Sequence, residues 1–207
     1  MYDDEFELTF DLSDEDEASR APAPEQEPVQ EAAPEPAAET EPAAETEPPV
    51  EAVPEPAVPA ANGRCVLISG GDRGIGAAAA RAFWQAGYRV AVLYHTHAEA
   101  AAALEKALPG LLAVQCDVAS RASCEVAFHT VEQAVGHVDV LVSNAGIAQQ
   151  KLFTDITPEE WQHMLDVNLS GAFHLCQLAL PGMIRRKAGR ILTVSSMWGQ
   201  TGGSCEV

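Results

Sequence analysis

Cys65-Val-Leu-Ile-Ser-Gly-Gly-Asp-Arg-Gly-Ile-Gly76 decides the fold. An apolar run ends at Ile68, a polar residue and two glycines follow, and an alanine-rich stretch begins at Gly76 with Ala77, Ala78, Ala80, Arg81 and Phe83 close behind. The first part reads as a short buried strand. Gly74 to Gly87 reads as a helix, with Gly87 as its C-terminal stop. A glycine loop that leaves a strand and opens a helix is the setting in which backbone holds a pyrophosphate. Gly70 allows the tight turn, Gly74 lets the backbone approach the ligand, and Gly76 permits close packing of helix on strand. The helix start adds free N–H groups and positive potential.

Outward from this loop the chain alternates strand and helix signals. Arg89–Tyr94 predicts a second strand, and Ala98–Leu108 a helix ended by Pro109-Gly110. Leu111–Gln115 predicts a third strand, after which Ser120 caps a helix running to about Val135. Val138–Val142 predicts a fourth strand that enters Ser143-Asn-Ala-Gly146. Thr157-Pro-Glu-Glu160 carries a threonine cap, proline at the first position and glutamate three after the cap. The helix it opens is expected to reach Arg185-Arg-Lys187, with a break near Asn168–Gly171, before a fifth strand at Arg190–Val194. Strands joined by helix-length crossovers predict an α/β, Rossmann-like, doubly wound parallel sheet with strand order 3-2-1-4-5.

The formal charge of −19 is unevenly spread. Residues 1–62 hold 19 acidic residues and a single cation, Arg20, whereas residues 63–207 are close to neutral. Eleven of the 14 prolines fall between Pro22 and Pro59, and Glu35-Pro-Ala-Ala-Glu-Thr repeats at Glu41–Thr46. Such a segment buries too little apolar surface to offset its ordering entropy. Residues 1–62 are therefore expected to be a disordered acidic Pro/Glu/Ala-rich tail, and residues 63–207 one dinucleotide-binding domain. Within the tail, Phe6, Leu8, Phe10 and Leu12 alternate with polar residues, a pattern that suits strand addition to a partner. A solvated acidic terminus is the plainer reading of the same residues.

The acidic start lacks the basic region of a secretory leader, and no apolar run reaches the roughly 20 residues that span a bilayer. A cytoplasmic protein with no membrane partner is expected. Five scattered cysteines without a C-x-x-C pair support neither a disulfide framework nor a metal site. The acidic tail would repel nucleic-acid phosphates.

Taken together, the motifs resemble the short-chain dehydrogenase/reductase family, whose loop has the G-x-x-x-G-x-G spacing of Gly70, Gly74 and Gly76. Asp117-Val118 is similar to the family's adenine-contacting pair, and Asn144-Ala145-Gly146 to the end of its fourth strand, with Ser143 in place of the usual first asparagine. Asn168, in Asp166-Val-Asn-Leu-Ser-Gly171, matches an asparagine that holds a proton relay, and Ser196 matches the catalytic serine that bonds the substrate carbonyl. Within the family the chain is most similar to 3-oxoacyl-[acyl-carrier-protein] reductases of fatty acid synthesis. The resemblance implies an NAD(P)-dependent oxidoreductase that reduces a carbonyl to an alcohol, usually a homo-tetramer or dimer. It assigns cofactor contacts to Gly70, Asp72, Arg73, Gly74, Ile75, Gly76, Tyr94, His95, Asp117, Val118, Asn144, Ala145 and Gly146.

No acid stands at the end of the second strand, where Tyr94-His-Thr-His97 precedes Glu99, and Arg73 matches a cation aimed at a 2′-phosphate. Both point to NADP, whereas Asp72 replaces the serine common at its position and opposes a 2′-phosphate. His95 and His97 are expected to cover the adenosine end or face solvent, and Trp84 and Trp161, on helices, to be core or packing residues. Arg185, Arg186 and Lys187 complement the helix dipole, or dock an acidic carrier protein as the family resemblance allows.

In the family a Tyr-x-x-x-Lys pair follows the serine, and its tyrosine is the proton donor. Counted from Ser196, that place falls just past Val207, and Tyr2, Tyr88 and Tyr94 are not positioned to substitute. The expectation is a truncated, inactive and poorly stable chain with an open fifth strand and an uncovered helix face at Leu169, Phe173, Leu175 and Leu178. A non-catalytic nucleotide-binding or interaction protein and a functionless gene fragment remain open on sequence alone.

Overall fold

A computed structural model of the chain describes residues 60–201; the readings of residues 1–59 and 202–207 lie outside the described residues. Five strands form one parallel sheet in the order β3-β2-β1-β4-β5. They are β1 (Cys65–Ser69), β2 (Arg89–Tyr94), β3 (Leu112–Gln115), β4 (Val140–Ser143) and β5 (Arg190–Thr193). The crossovers carry α1 (Gly74–Gln85), α2 (Ala98–Ala107), α3 (Arg121–Val135), α4 (Pro158–Leu165) and α5 (Gly171–Arg186). The expected strand order is the one observed, and the expected strands and helices form with boundaries shifted by a residue or two; a 3-10 turn at Phe153–Asp155 and a short helix at Trp198–Thr201 are additional.

Burial follows the pleat. In β1, Val66 and Ile68 join Val90, Val92, Val140 and Val142 under α1 and α2, around Ala77, Ala80, Trp84 and Leu104. Leu67 joins Ala91, Leu93 and Leu141 on the opposite face, under Phe128 and Val131 of α3 and Leu175 and Ala179 of α5. A parallel sheet covered on both faces needs apolar residues at successive positions, which is why β1, β2 and β4 read as unbroken apolar runs.

The helix ends form as their sequences dictate. Thr157 Oγ1 accepts the Glu160 N–H at 3.2 Å, and the Glu160 carboxylate accepts the Thr157 N–H at 2.8 Å, closing a capping box. Ser120 Oγ accepts the Ser123 N–H at the start of α3. Gly87, at φ +81°, ends the turn after α1. Trp84 is buried and its Nε1–H donates to the Pro109 carbonyl at 3.0 Å. Of the core and packing roles open to Trp161, the structure excludes the core: it is 46% exposed.

The expected break near Asn168–Gly171 is not a break. One π-helical turn, Asp166–Ser170, joins α4 to α5 without interrupting the helical path. Gly171 keeps helical backbone angles, φ −59° and ψ −45°, and a Cβ there would meet the Val118 side chain at 2.9 Å. Leu175 also departs from expectation, being 1% exposed in the core, whereas Phe173 on the same helix is 58% exposed.

Candidate functional site

The C-terminal ends of β1 to β4 surround a cavity of about 320 Å³, beside the point where the strand order reverses across β1. Gly70, Asp72 and Arg73 reach it from the loop after β1, and Tyr94 and His95 from the end of β2. Asp117 and Val118 follow β3, and Asn144, Ala145 and Gly146 follow β4. The sheet thus gathers onto one wall four motifs that are far apart in sequence. Leu93, Thr96, His97, Cys116, Ile147, His163 and Val167 complete the lining. All but His163 lie within two positions of a residue that the motifs singled out; His163, on α4, carries no local signal.

Ser69 fixes the geometry of this wall and was missed as a site residue. Its hydroxyl is buried, and its Oγ accepts the N–H groups of Asn144 and Ala145, both at 3.0 Å. Asn144 Nδ2 returns two bonds, to the carbonyls of Ser69 and Gly70, also at 3.0 Å. The glycine loop and the end of β4 are therefore stitched together by four part-buried hydrogen bonds around the buried Ser69 hydroxyl. Gly76 lets α1 sit against this stitch, because a Cβ there would collide with the Gly70 carbonyl oxygen.

Gly74 has a different reason to be glycine. Its φ is +53°, and a Cβ built on it would meet nothing within 4 Å. Arg73 caps α1 without a side-chain hydrogen bond, and the first turn contains no acid. The first-turn N–H groups are thus left without a side-chain acceptor at a helix start suited to an anion. Gly74, Ile75 and Gly76 do not line the cavity, and Ile75 is 68% exposed, so this stretch contributes backbone rather than side chains.

Asp72 is buried, and its Oδ2 has no hydrogen-bond partner. His97 Nδ1 lies 3.6 Å from that oxygen and 3.3 Å from Thr96 Oγ1. Cys116 lines the cavity with its sulfur 3.9 Å from that of Cys124. The hydrogen bond with Cys124, helped by the Ser123 hydroxyl, holds the Cys116 thiol below its ordinary range.

Asn168 stands on the π turn, and its amide grips the backbone of Ile147: Oδ1 accepts the N–H at 2.9 Å and Nδ2 donates to the carbonyl at 3.0 Å. Gly146 makes room for this, since a Cβ there would lie 2.9 Å from Asn168 Oδ1. Ser196 lies exposed beyond β5, and its Oγ accepts the N–H of Trp198 at 3.3 Å, at the start of the short helix α6 (Trp198–Thr201). Among the described residues no hydrogen bond joins Asn168 to Ser196. Tyr88 sits edge-on to Phe83 at 5.0 Å, between α1 and β2. Arg186, on α5, turns inward to donate to the Val138 carbonyl at 2.8 Å.

A family model described as short chain dehydrogenase matches residues 64–207. The chain belongs to the short-chain dehydrogenase family. The acetoacetyl-CoA reductase of Shinella zoogloeoides is 40% identical over 139 residues, covering 67% of this chain and 57% of that protein. The 3-oxoacyl-[acyl-carrier-protein] reductase MabA of Mycobacterium avium is 40% identical over 144 residues, covering 68% of this chain and 53% of that protein. The chain spans a little over half the length of these curated relatives.

Short-chain dehydrogenases take NAD or NADP as cofactor, and the residues present fit such a group. The loop backbone is open at Gly74, the start of α1 lacks an acceptor, and Asp72 Oδ2 is a buried acceptor without a donor. No helix among the described residues is long and apolar enough to cross a membrane.

Proposed function

We propose that this chain binds NADP(H) in the cavity above β1 to β4 and forms the cofactor-binding part of a cytoplasmic carbonyl reductase. The substrate class is a 3-oxoacyl thioester, carried by a carrier protein in fatty acid synthesis or by coenzyme A. The observation that carries the reading is the cavity itself, in which the glycine loop, the Asp117-Val118 pair and Asn144–Gly146 converge. The names of the relatives support the substrate class. Arg73 beside the cavity, with no acid at the end of β2, supports NADP.

The bound dinucleotide supplies a hydride. Gly70–Gly76 holds the pyrophosphate by backbone N–H groups, and Asp117 and Val118 border the adenine. Ser196 donates a hydrogen bond to the carbonyl oxygen as charge develops on it, and Asn168 holds the segment after β4 and supports proton delivery. Arg185 and Lys187 offer the positive surface for an acidic carrier, since Arg186 is committed to Val138. Several copies are proposed to assemble, and Leu169, Phe173, Leu180 and Ile184, exposed along one helical face, support that.

These 207 residues include no tyrosine after Tyr94. The purified chain is therefore expected to bind NADPH saturably, seen as a change in nucleotide fluorescence, and to leave NADPH unconsumed when acetoacetyl-CoA is added. Absence of NADPH binding would overturn the reading; turnover would overturn the role given to the missing tyrosine.

A further inference from the structure

We infer that Cys116 and Cys124 are an oxidisable thiol pair, closing to a disulfide when a hydroperoxide reaches Cys116 through the cavity, so that a nucleotide bound there protects the pair. The pair stands on its own geometry; only the protection rests on reading the cavity as the dinucleotide site.

The two cysteines meet because the link between β3 and α3 turns back tightly. Cys116 leaves β3 with its N–H on the Tyr94 carbonyl at 2.8 Å, and Cys124 stands in the first turn of α3 with its N–H on the Ser120 carbonyl at 3.0 Å. Between them the Ser120 N–H donates to the Asp117 carbonyl at 3.1 Å, and the Asp117 N–H donates to Ser123 Oγ at 3.0 Å. The sulfurs are thereby held 3.9 Å apart, both as free thiols. A disulfide closes at about 2.0 Å, so a further approach of about 2 Å is needed, which side-chain rotation and a small shift of the link supply. The Cys124 S–H has the Cys116 sulfur and the Val118 carbonyl as acceptors, at 3.9 and 3.5 Å, and the Ser123 hydroxyl donates to the Cys116 sulfur at 3.7 Å. These donors favour a thiolate at Cys116, whereas the shared hydrogen bond and burial keep the proton on Cys124. Cys116 is therefore the attacking sulfur and Cys124 the one that resolves.

Access separates Cys116 from the other described thiols. Cys116 lines the cavity, whereas Cys124, behind it, is 0% exposed, and neither Cys65 nor Cys176 belongs to the lining. Burial pushes the Cys65 thiol up to about 11 and raises that of Cys176, so both stay protonated and unreactive. A cavity of about 320 Å³ admits a small hydroperoxide while Cys116 itself is only 3% exposed. A nucleotide whose adenine borders Asp117 and Val118 stands over Cys116, the residue before them, and closes that route.

With hydrogen peroxide the steps balance. The Cys116 thiolate attacks one peroxide oxygen, the O–O bond breaks, and the second oxygen leaves as hydroxide and takes up the proton that the thiol released. Cys116 is then a sulfenic acid, its sulfur oxidised by two electrons, and the peroxide has been reduced to water. The negative charge that favoured a proton on Cys124 is gone. The Cys124 sulfur attacks the Cys116 sulfur, the S–O bond breaks, and the hydroxyl leaves with the Cys124 proton as a second water.

Tryptic mapping of the full chain after peroxide treatment and alkylation tests the pair, because Arg121 lies between the two cysteines. The expected product joins residues 107–121 to residues 122–151, each holding one cysteine, with a mass two hydrogens below the sum, and dithiothreitol parts it. Cys124→Ser stops at a Cys116 sulfenic acid that dimedone captures, and Cys116→Ser leaves Cys124 unoxidised; Cys116→Ala repeats that result if the serine variant folds poorly. Saturating NADP, which carries no hydride for the peroxide, slows the linkage by about tenfold or more. Linkage to Cys65, Cys176 or Cys205 instead, linkage that forms only in urea, or oxidation of Cys116 beyond the sulfenic acid with Cys124 still a thiol overturns the pair. NADP that binds without slowing the linkage overturns the protection. Linkage in a chain that does not bind NADP upholds the pair and overturns the dinucleotide reading.

Discussion

Three residues of the glycine loop carry separable demands. At Gly76 a side chain has no room, because its Cβ would run into the Gly70 carbonyl. Gly76→Ala is expected to cost about 1–3 kcal/mol, the usual penalty of overpacking, as read by urea unfolding. At Gly74 the space is open and only the φ of +53° resists a side chain. Gly74→Ala is expected to cost about 1–2 kcal/mol of stability yet weaken NADPH tenfold or more, because the methyl stands where the pyrophosphate approaches. An alanine variant that binds like the parent sinks that role. Ser69→Ala leaves the part-buried N–H groups of Asn144 and Ala145 without their acceptor and is expected to cost about 1–3 kcal/mol. The glycines were legible in the sequence because their spacing is local. The importance of Ser69 was not, because its partner Asn144 lies 75 residues away and only the folded sheet brings them together.

At the scale of elements, helix starts were more legible than what happens inside a helix. Thr157-Pro-Glu-Glu160 names its own cap, since every group involved lies within four residues. The π turn at Asp166–Ser170 has no such local signature; glycine at 171 reads as a break until Val118 is seen packed against it. Its consequence is to set Asn168 against Ile147, a placement that π turns often provide at functional positions. The cap of α4 should respond to acid. The hydrogen bond from Lys151, reinforced by the Thr157 N–H, holds the Glu160 carboxyl below its ordinary value of 4.5. A folded pKa below the unfolded one means that Glu160 adds stability above the ordinary value, and that this is lost as pH falls through the folded value. The stability gap between the parent and Glu160→Gln should therefore be full near neutrality and close below pH 4.5, measured by chemical unfolding across that range. Thr157→Ala should cost about 1 kcal/mol at any pH. A gap that persists undiminished in acid would assign the cap to neutral hydrogen bonding.

At the scale of the whole molecule, burial on both faces was readable from unbroken apolar runs, but the facing of α5 was not. Leu175 and Phe173 are two positions apart and equally apolar, and only the packed sheet and α3 decide that the first is core and the second exposed. The cavity likewise belongs to no single element, since its wall draws on the loops after β1, β2, β3 and β4 and on α4. A ligand that touches all of these is bound by the native arrangement alone, because unfolding scatters its contacts along roughly a hundred residues of chain. Nucleotide should therefore stabilise the fold by mass action, by about 2.7 kcal/mol at a concentration of one hundred times Kd. A thermal melt should rise steadily with the logarithm of nucleotide concentration. The same series on Gly74→Ala should shift to higher concentrations by the factor that separates the two affinities, with the melt of the free variant lowered only by its backbone cost. If nucleotide raised the melt of parent and variant equally, the stabilisation would come from a surface other than this loop, and the convergence of the four motifs on one wall would not be the source of binding.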